Sequence, residues 1–181
     1  LSNDFLILEN NKLRELINET VQSEDVYAKV LVDKDSPYLK SIILNKGSKD
    51  NVKIGMAIVD DSYLIGKIIE VNYTNSRALL LSDLNSKIPV LLEPLDIHAV
   101  LSGSGKDFGL IEYTKDGYDQ QISGEEIIVY TSGYGDLFKS GMPVGKIIKN
   151  KITGQNIVNF FSDFKQLNYI KIVSYKTGVT N

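Results

Sequence analysis

The chain has 181 residues, 43% hydrophobic and 24% charged, a balance that supports a packed core in one large domain or two small ones. Its net charge is −3 and its basic residues are scattered, so it lacks the gathered Lys/Arg face that nucleic-acid binding needs. With no cysteine and one histidine it can build neither a disulfide framework, nor a thiolate metal site, nor a multi-histidine centre. No apolar run approaches the ~20 residues of a membrane span, and no signal peptide is visible. The start at Leu1 rather than Met is expected of a fragment trimmed from a longer protein.

Residues 4–22 are predicted to form the chain's one helix. Leu6, Asn10, Leu13, Ile17 and Thr20 alternate by four and three residues, which is heptad spacing. In that register Glu9 falls at g and Arg14 at the following e, the relation that pairs opposite charges across a parallel dimer, while Asn10 at an a position fixes register. A homodimer or higher self-assembly through Leu6, Asn10, Leu13, Ile17, Glu9 and Arg14 is therefore expected. The plainer alternative is an amphipathic helix folded onto its own domain, because fewer than three heptads do not hold a coiled coil alone.

From Glu24-Asp25 onward the texture is β. Runs at 26–32, 41–44, 56–59, 64–71 and 77–81 form a first set; runs at 88–92, 98–101, 109–113, 126–130, 144–148, 156–161 and 169–175 form a second. Short strands at close spacing with turn residues between them predict an all-β barrel or sandwich. No helical pattern recurs between them, which disfavours a parallel βαβ sheet. Continuous apolar runs such as Leu79-Leu80-Leu81 suit strands covered on both faces, as where two small barrels lean together.

One pattern is written twice. Gly55-Met56, Gly66-Lys67-Ile68-Ile69 and Ser82-Asp83 in the first half match Gly141-Met142, Gly145-Lys146-Ile147-Ile148 and Ser162-Asp163 in the second, with a hairpin between the first two pieces only in the first copy. Such self-similarity predicts two related β-domains in tandem. The expected division is a coiled-coil helix over 1–23, a first barrel over 24–85, a second over 86–175 and a disordered tail over 176–181. Gly47, Gly55, Gly66, Gly133, Gly141 and Gly145 are read as structural turns or bends, Gly66 and Gly145 as the sharp bends that closing a small barrel requires.

The sequence shows no catalytic set. His98 stands alone in an apolar stretch, and Ser132 in Thr131-Ser132-Gly133 lacks the Gly-Asp-Ser-Gly setting of a double-barrel serine protease. Gly103-Ser104-Gly105-Lys106 lacks the opening glycine and following helix of a phosphate loop. No metal and no cofactor is expected. Phe160, Phe161 and Phe164 are candidate exposed aromatics for partner binding.

Three stretches together resemble the extracytoplasmic part of the rod-shape-determining MreC family. Glu9-Asn10-Asn11-Lys12-Leu13-Arg14-Glu15-Leu16-Ile17 is similar to its coiled-coil signature. Ile43-Leu44-Asn45-Lys46-Gly47-Ser48, with Val52, Gly55-Met56, Gly66 and Leu79-Leu80-Leu81-Ser82-Asp83, resembles its first barrel. Thr131-Ser132-Gly133 with Phe138, Gly141 and Pro143-Val144-Gly145 resembles the signature of its second. The chain departs from the family where Glu126-Ile127 replaces Gly-Asp, Lys139 replaces proline and Asn51 replaces glycine. The resemblance implies a periplasmic protein anchored to the inner membrane by a helix upstream of Leu1. It implies a non-enzymatic scaffold of cell elongation that links MreB, through MreD and RodA, to the elongation-specific penicillin-binding transpeptidase. The alternatives are a hydrolase on a chymotrypsin-like double barrel, or the periplasmic adaptor of an export system.

Overall fold

A computed structural model describes residues 21–36, 39–112, 126–136 and 138–177. The coiled-coil positions Leu6, Glu9, Asn10, Leu13, Arg14 and Ile17 lie outside the described residues. Val21 and Gln22, expected at the end of the helix, are instead the first residues of a strand.

Among the described residues twelve strands follow in chain order: β1 Val21–Ser36, β2 Leu39–Leu44, β3 Ala57–Asp60, β4 Tyr63–Val71, β5 Ser76–Leu80, β6 Lys87–Glu93, β7 Ile97–Gly103, β8 Phe108–Glu112, β9 Ile128–Thr131, β10 Pro143–Lys149, β11 Asn156–Phe160 and β12 Tyr169–Thr177. They close into two six-stranded barrels, with neighbours in the orders β1-β12-β3-β4-β5-β2 and β10-β11-β8-β7-β6-β9. The fold is all-β with two tandem small barrels, as the strand pattern predicts.

The division at 85/86 needs one correction. The last strand, expected in the second domain and its neighbouring tail, closes the first barrel instead: Lys171, Ile172 and Val173 pair with Val59, Ile58 and Ala57 of β3. Ile170 and Ile172 are buried in the first barrel's core with Ile42, Leu44, Ile58, Ile65 and Ile68. Without β12 that barrel would have two open strand edges flanking a breached core, which is why the strand returns.

The two barrels have the same topology, circularly permuted. Pairing β7, β8, β9, β10 and β11 with β1, β2, β3, β4 and β5 makes every strand neighbour in one barrel match a neighbour in the other, with β6 standing where β12 stands. The second barrel receives its sixth strand before the other five and the first barrel after them. In this frame the GKII strands β4 and β10 are equivalent, and so are the registers Gly66↔Leu80 and Gly145↔Phe160. The Gly-Met pairs are not equivalent: Gly55-Met56 precedes β3, whereas Gly141-Met142 lies in the β9–β10 connection.

Strands at the contact are covered on both faces. In β3, Ile58 points into the first core while Ala57 and Val59 pack with the second, where Val90, Leu92, Val129, Val144 and Val158 are buried. Leu64 in β4 and Leu81 after β5 join them. This is the physical origin of the unbroken apolar runs. Asn51, one of the departures from the family pattern, has φ 64° and ψ 18°. Asparagine is among the few residues that occupy this left-handed conformation at low cost, so the turn survives the loss of glycine.

Candidate functional site

The six predicted structural glycines divide into two kinds. Gly55, Gly133 and Gly141 have positive φ. At Gly47, Gly66 and Gly145 a side chain would meet backbone: a Cβ on Gly66 would stand 2.1 Å from the Leu79 carbonyl oxygen, and one on Gly145 2.3 Å from that of Asn159. Both bends sit at the same place in the two equivalent barrels.

Phe160, Phe161 and Phe164 are not a free aromatic surface. Phe160 is 8% exposed and belongs to the second barrel's core. Phe164 stacks on it with ring centroids 4.8 Å apart and packs against both cores. Phe161 is half-buried and tilts against Tyr63 at 5.1 Å. Together they line the joint between the barrels, where aromatic area is best removed from water. A cleft of about 350 Å³ opens beside them, bounded also by Asp107, Asn159, Ser162, Asp163 and Lys165.

The candidate interaction surface lies on the outside of the second barrel. Leu91 faces Tyr130 of β9 on one side and His98 of β7 on the other. Its sequence neighbours Val90 and Leu92 are fully buried, so alternation points Leu91 outward. Tyr130 and Leu91 are half-buried and His98 is exposed. Tyr134, 65% exposed, stands edge-on to the His98 ring with centroids 5.0 Å apart. One strip row further, Pro89 pairs with Val100, both half-buried and both on the outward face. An outward sheet face bearing Tyr130, Leu91, His98, Tyr134, Pro89 and Val100 has the aromatic and aliphatic anchors that protein interfaces favour. The sequence held a signal for it: Val90-Leu91-Leu92 puts an apolar residue where a solvated strand would carry a polar one.

At the rim of this face Glu112 bonds Lys87 Nζ at 3.0 Å and accepts from Ser102 Oγ at 2.9 Å. Lys87 first, then the Ser102 hydroxyl, hold the Glu112 carboxyl below the usual glutamate range. In the first barrel Asp50 is likewise held below the usual range, chiefly because its carboxylate accepts the Gly47 backbone N–H.

Among the described residues no hydrogen bond joins Ser132 to His98, and each meets Tyr134 instead. The Ser132 hydroxyl accepts the Tyr134 backbone N–H at 3.3 Å, and His98 meets the Tyr134 ring. The neighbouring Thr131 is fully buried. Its hydroxyl donates to the Lys139 carbonyl and accepts the Met142 N–H at 2.9 Å, pinning the loop that carries the Thr-Ser-Gly stretch. That motif is thus explained by loop closure.

The model of the family "Rod shape-determining protein MreC, barrel core" matches residues 30–174, most of the chain. The chain belongs to the MreC family. The cell shape-determining protein MreC of Haemophilus influenzae is 33% identical over 147 residues, covering 80% of this chain and 41% of that protein. The chain spans less than half the length of this and other curated MreC relatives. Among solved structures, MreC from Pseudomonas aeruginosa superposes with a TM-score of 0.71 at 25% identity, over 83% of this chain and 99% of that one. An MreC solved in complex with the penicillin-binding protein PBP2 from Helicobacter pylori shares the fold, with a TM-score of 0.59 at 14% identity over 84% of this chain and 99% of that one.

Proposed function

We propose that this chain is the periplasmic part of a non-enzymatic cell-shape scaffold, anchored at the inner membrane by a helix upstream and dimerised through the 4–22 heptads. Its role is to hold the elongation-specific penicillin-binding transpeptidase in the peptidoglycan-synthesis complex with MreD and RodA, and with MreB engaged by cytoplasmic or membrane segments outside this sequence. Membership of the MreC family carries this reading, and the H. pylori complex supports the choice of partner. The outward face around Tyr130 and Tyr134 is the docking surface we assign to that partner. It is apolar at its centre and charged at its rim, the anatomy of a transient protein interface.

The experiment is a binding titration of the periplasmic region against the extracytoplasmic part of the transpeptidase from the same organism. Saturable binding is expected for the wild-type chain. Tyr130→Ala with Tyr134→Ala should weaken it at least about 30-fold, the effect of losing one interfacial hot spot of ~2 kcal/mol. Binding unchanged in the double variant would remove the assigned face, and no binding by the wild type would remove the partner.

A further inference from the structure

Among the described residues the chain crosses between the barrels twice, and the repeated Ser-Asp marks both crossings. The first crossing runs from β5 to β6 through Ser82-Asp83, the second from β11 to β12 through Ser162-Asp163. Each crossing feeds the sixth strand of the barrel it enters. The two turns are built alike. Asp83 Oδ1 accepts the Asn85 N–H at 2.7 Å and Asp163 Oδ1 the Lys165 N–H at 3.0 Å. The Asp83 carbonyl accepts the Ser86 N–H at 2.9 Å and the Asp163 carbonyl the Gln166 N–H at 3.1 Å. These are Asx turns, in which a side-chain carboxylate stands in for a backbone acceptor and sets a sharp change of direction.

Their surroundings differ. The first crossing is sunk into both barrels: Asp83 is 1% exposed, and its Oδ2 accepts the Lys40 N–H of β2 at 2.7 Å. On the other side Gly105 N–H donates to the Ser82 carbonyl at 2.8 Å and Gly103 N–H to the Ser86 carbonyl at 3.0 Å. The second crossing is largely exposed at Asp163, Lys165, Gln166 and Asn168, with the 350 Å³ cleft along it. It is held to the first barrel near its start by the Ser162 hydroxyl, which donates to the Asp60 carboxylate at the end of β3, and by Phe161 on Tyr63.

We propose that the two crossings form a joint with a fixed pivot at Asp83 and a releasable catch at Ser162–Asp60, and that the catch selects one angle between the barrels. Apolar contact between Ala57, Val59, Leu64 and the second core is non-directional and permits sliding. A hydroxyl-to-carboxylate bond is directional and about twice as strong as a neutral one, so it supplies the angle that packing leaves open. The inference rests on the fold alone and stands whether or not the transpeptidase is the partner. Its consequence is that a partner touching both barrels would read the state of the catch.

The test uses distance measurement by electron-spin resonance between nitroxides on cysteines at Thr74→Cys and Ile152→Cys, exposed sites in the equivalent β4–β5 and β10–β11 turns. The native chain has no cysteine to compete for label. A single narrow distribution is expected with the catch intact. Ser162→Ala should broaden and shift it, and Asp60→Ala with Phe161→Ala should do so further. Far-UV circular dichroism should remain that of the parent, and Ser162→Ala, which removes one oxygen, guards against a variant that fails to fold. An unchanged distribution in the folded Ser162→Ala protein, or a broad one in the parent, would overturn the catch.

Discussion

Alanine at Gly66 tests the barrel geometry most sharply. The new Cβ would lie 2.1 Å from the Leu79 carbonyl oxygen, where ordinary contact begins at 3.4 Å, so β5 would have to retreat by about 1.3 Å. It has nowhere to go, because Leu79 is paired with Lys67 on one side and with Ser41 of β2 on the other. Overpacking of this kind costs ~1–3 kcal/mol, and one or two weakened ladder hydrogen bonds add about 1 kcal/mol each. Reduced freedom of the unfolded chain returns ~0.4–1 kcal/mol, leaving a net loss of about 3 kcal/mol. Gly55→Ala is the control. Its site is open, with nothing within 4 Å, and the cost is only that of a positive φ, ~1–2 kcal/mol before the same entropic return. Urea unfolding with a slope of about 2 kcal/mol/M should move the Gly66→Ala midpoint down by ~1.5 M and that of Gly55→Ala by ~0.5 M. Gly145→Ala, 2.3 Å from the Asn159 carbonyl, should behave like Gly66→Ala. A Gly66→Ala protein as stable as Gly55→Ala would refute the reading of these glycines as closure bends.

Three further outcomes are expected. Deleting the chain after Asn168 removes Ile170 and Ile172, each contributing ~1.5–3 kcal/mol by burial, and opens β1 and β3 to solvent. Hydrogen exchange should show β1–β5 unprotected and β6–β11 still protected; retained protection in β1–β5 would contradict the discontinuous first barrel. At position 51, Asn51→Gly should leave stability within about 0.5 kcal/mol, whereas Asn51→Val should cost ~1–2 kcal/mol by forcing a β-branched residue to positive φ, both read by urea unfolding. Because the Glu112 carboxyl is held below its ordinary range, its pairing stabilises the fold above that range and is lost as pH falls through the depressed value. Glu112→Gln should thus be slightly less stable than wild type at neutral pH and equal to it in strong acid, a small difference because the pair is solvent-exposed. A gap that widens in acid would reverse the sign.

Much of the fold is legible in the local pattern of residues, since every predicted run from Val26 to Tyr175 corresponds to one of the strands. What local pattern does not carry is the identity of a strand's partner. Tyr169 to Tyr175 reads as a strand in either barrel, and only the need to cover Ile58 and close the edges of β1 and β3 sends it back to the first. The same gap explains the aromatics. Phe160-Phe161-Ser162-Asp163-Phe164 looks like an exposed, partner-seeking cluster because its polar residues flank the rings, yet it is a crossing between barrels and the rings fill the joint. Leu91 carries the signal for the outward face, an apolar residue at a position where alternation calls for a polar one. The repeat was legible in GKII and Ser-Asp, while Gly-Met matched in sequence without matching in topology, because glycine at positive φ serves any turn.

If the chain works by binding rather than by chemistry, as proposed, rod shape in living cells depends on its docking face and not on Ser132 and His98. In cells depleted of their own copy, the full-length protein carrying Ser132→Ala should maintain rods as the wild type does, because the Ser132 hydroxyl accepts a backbone N–H in its own loop, a structural contact whose loss costs little. The protein carrying Tyr130→Asp and Tyr134→Asp should be present at normal level and yet leave the cells round. Rods lost with Ser132→Ala and kept with the tyrosine pair would contradict the scaffold account and point to the hydrolase.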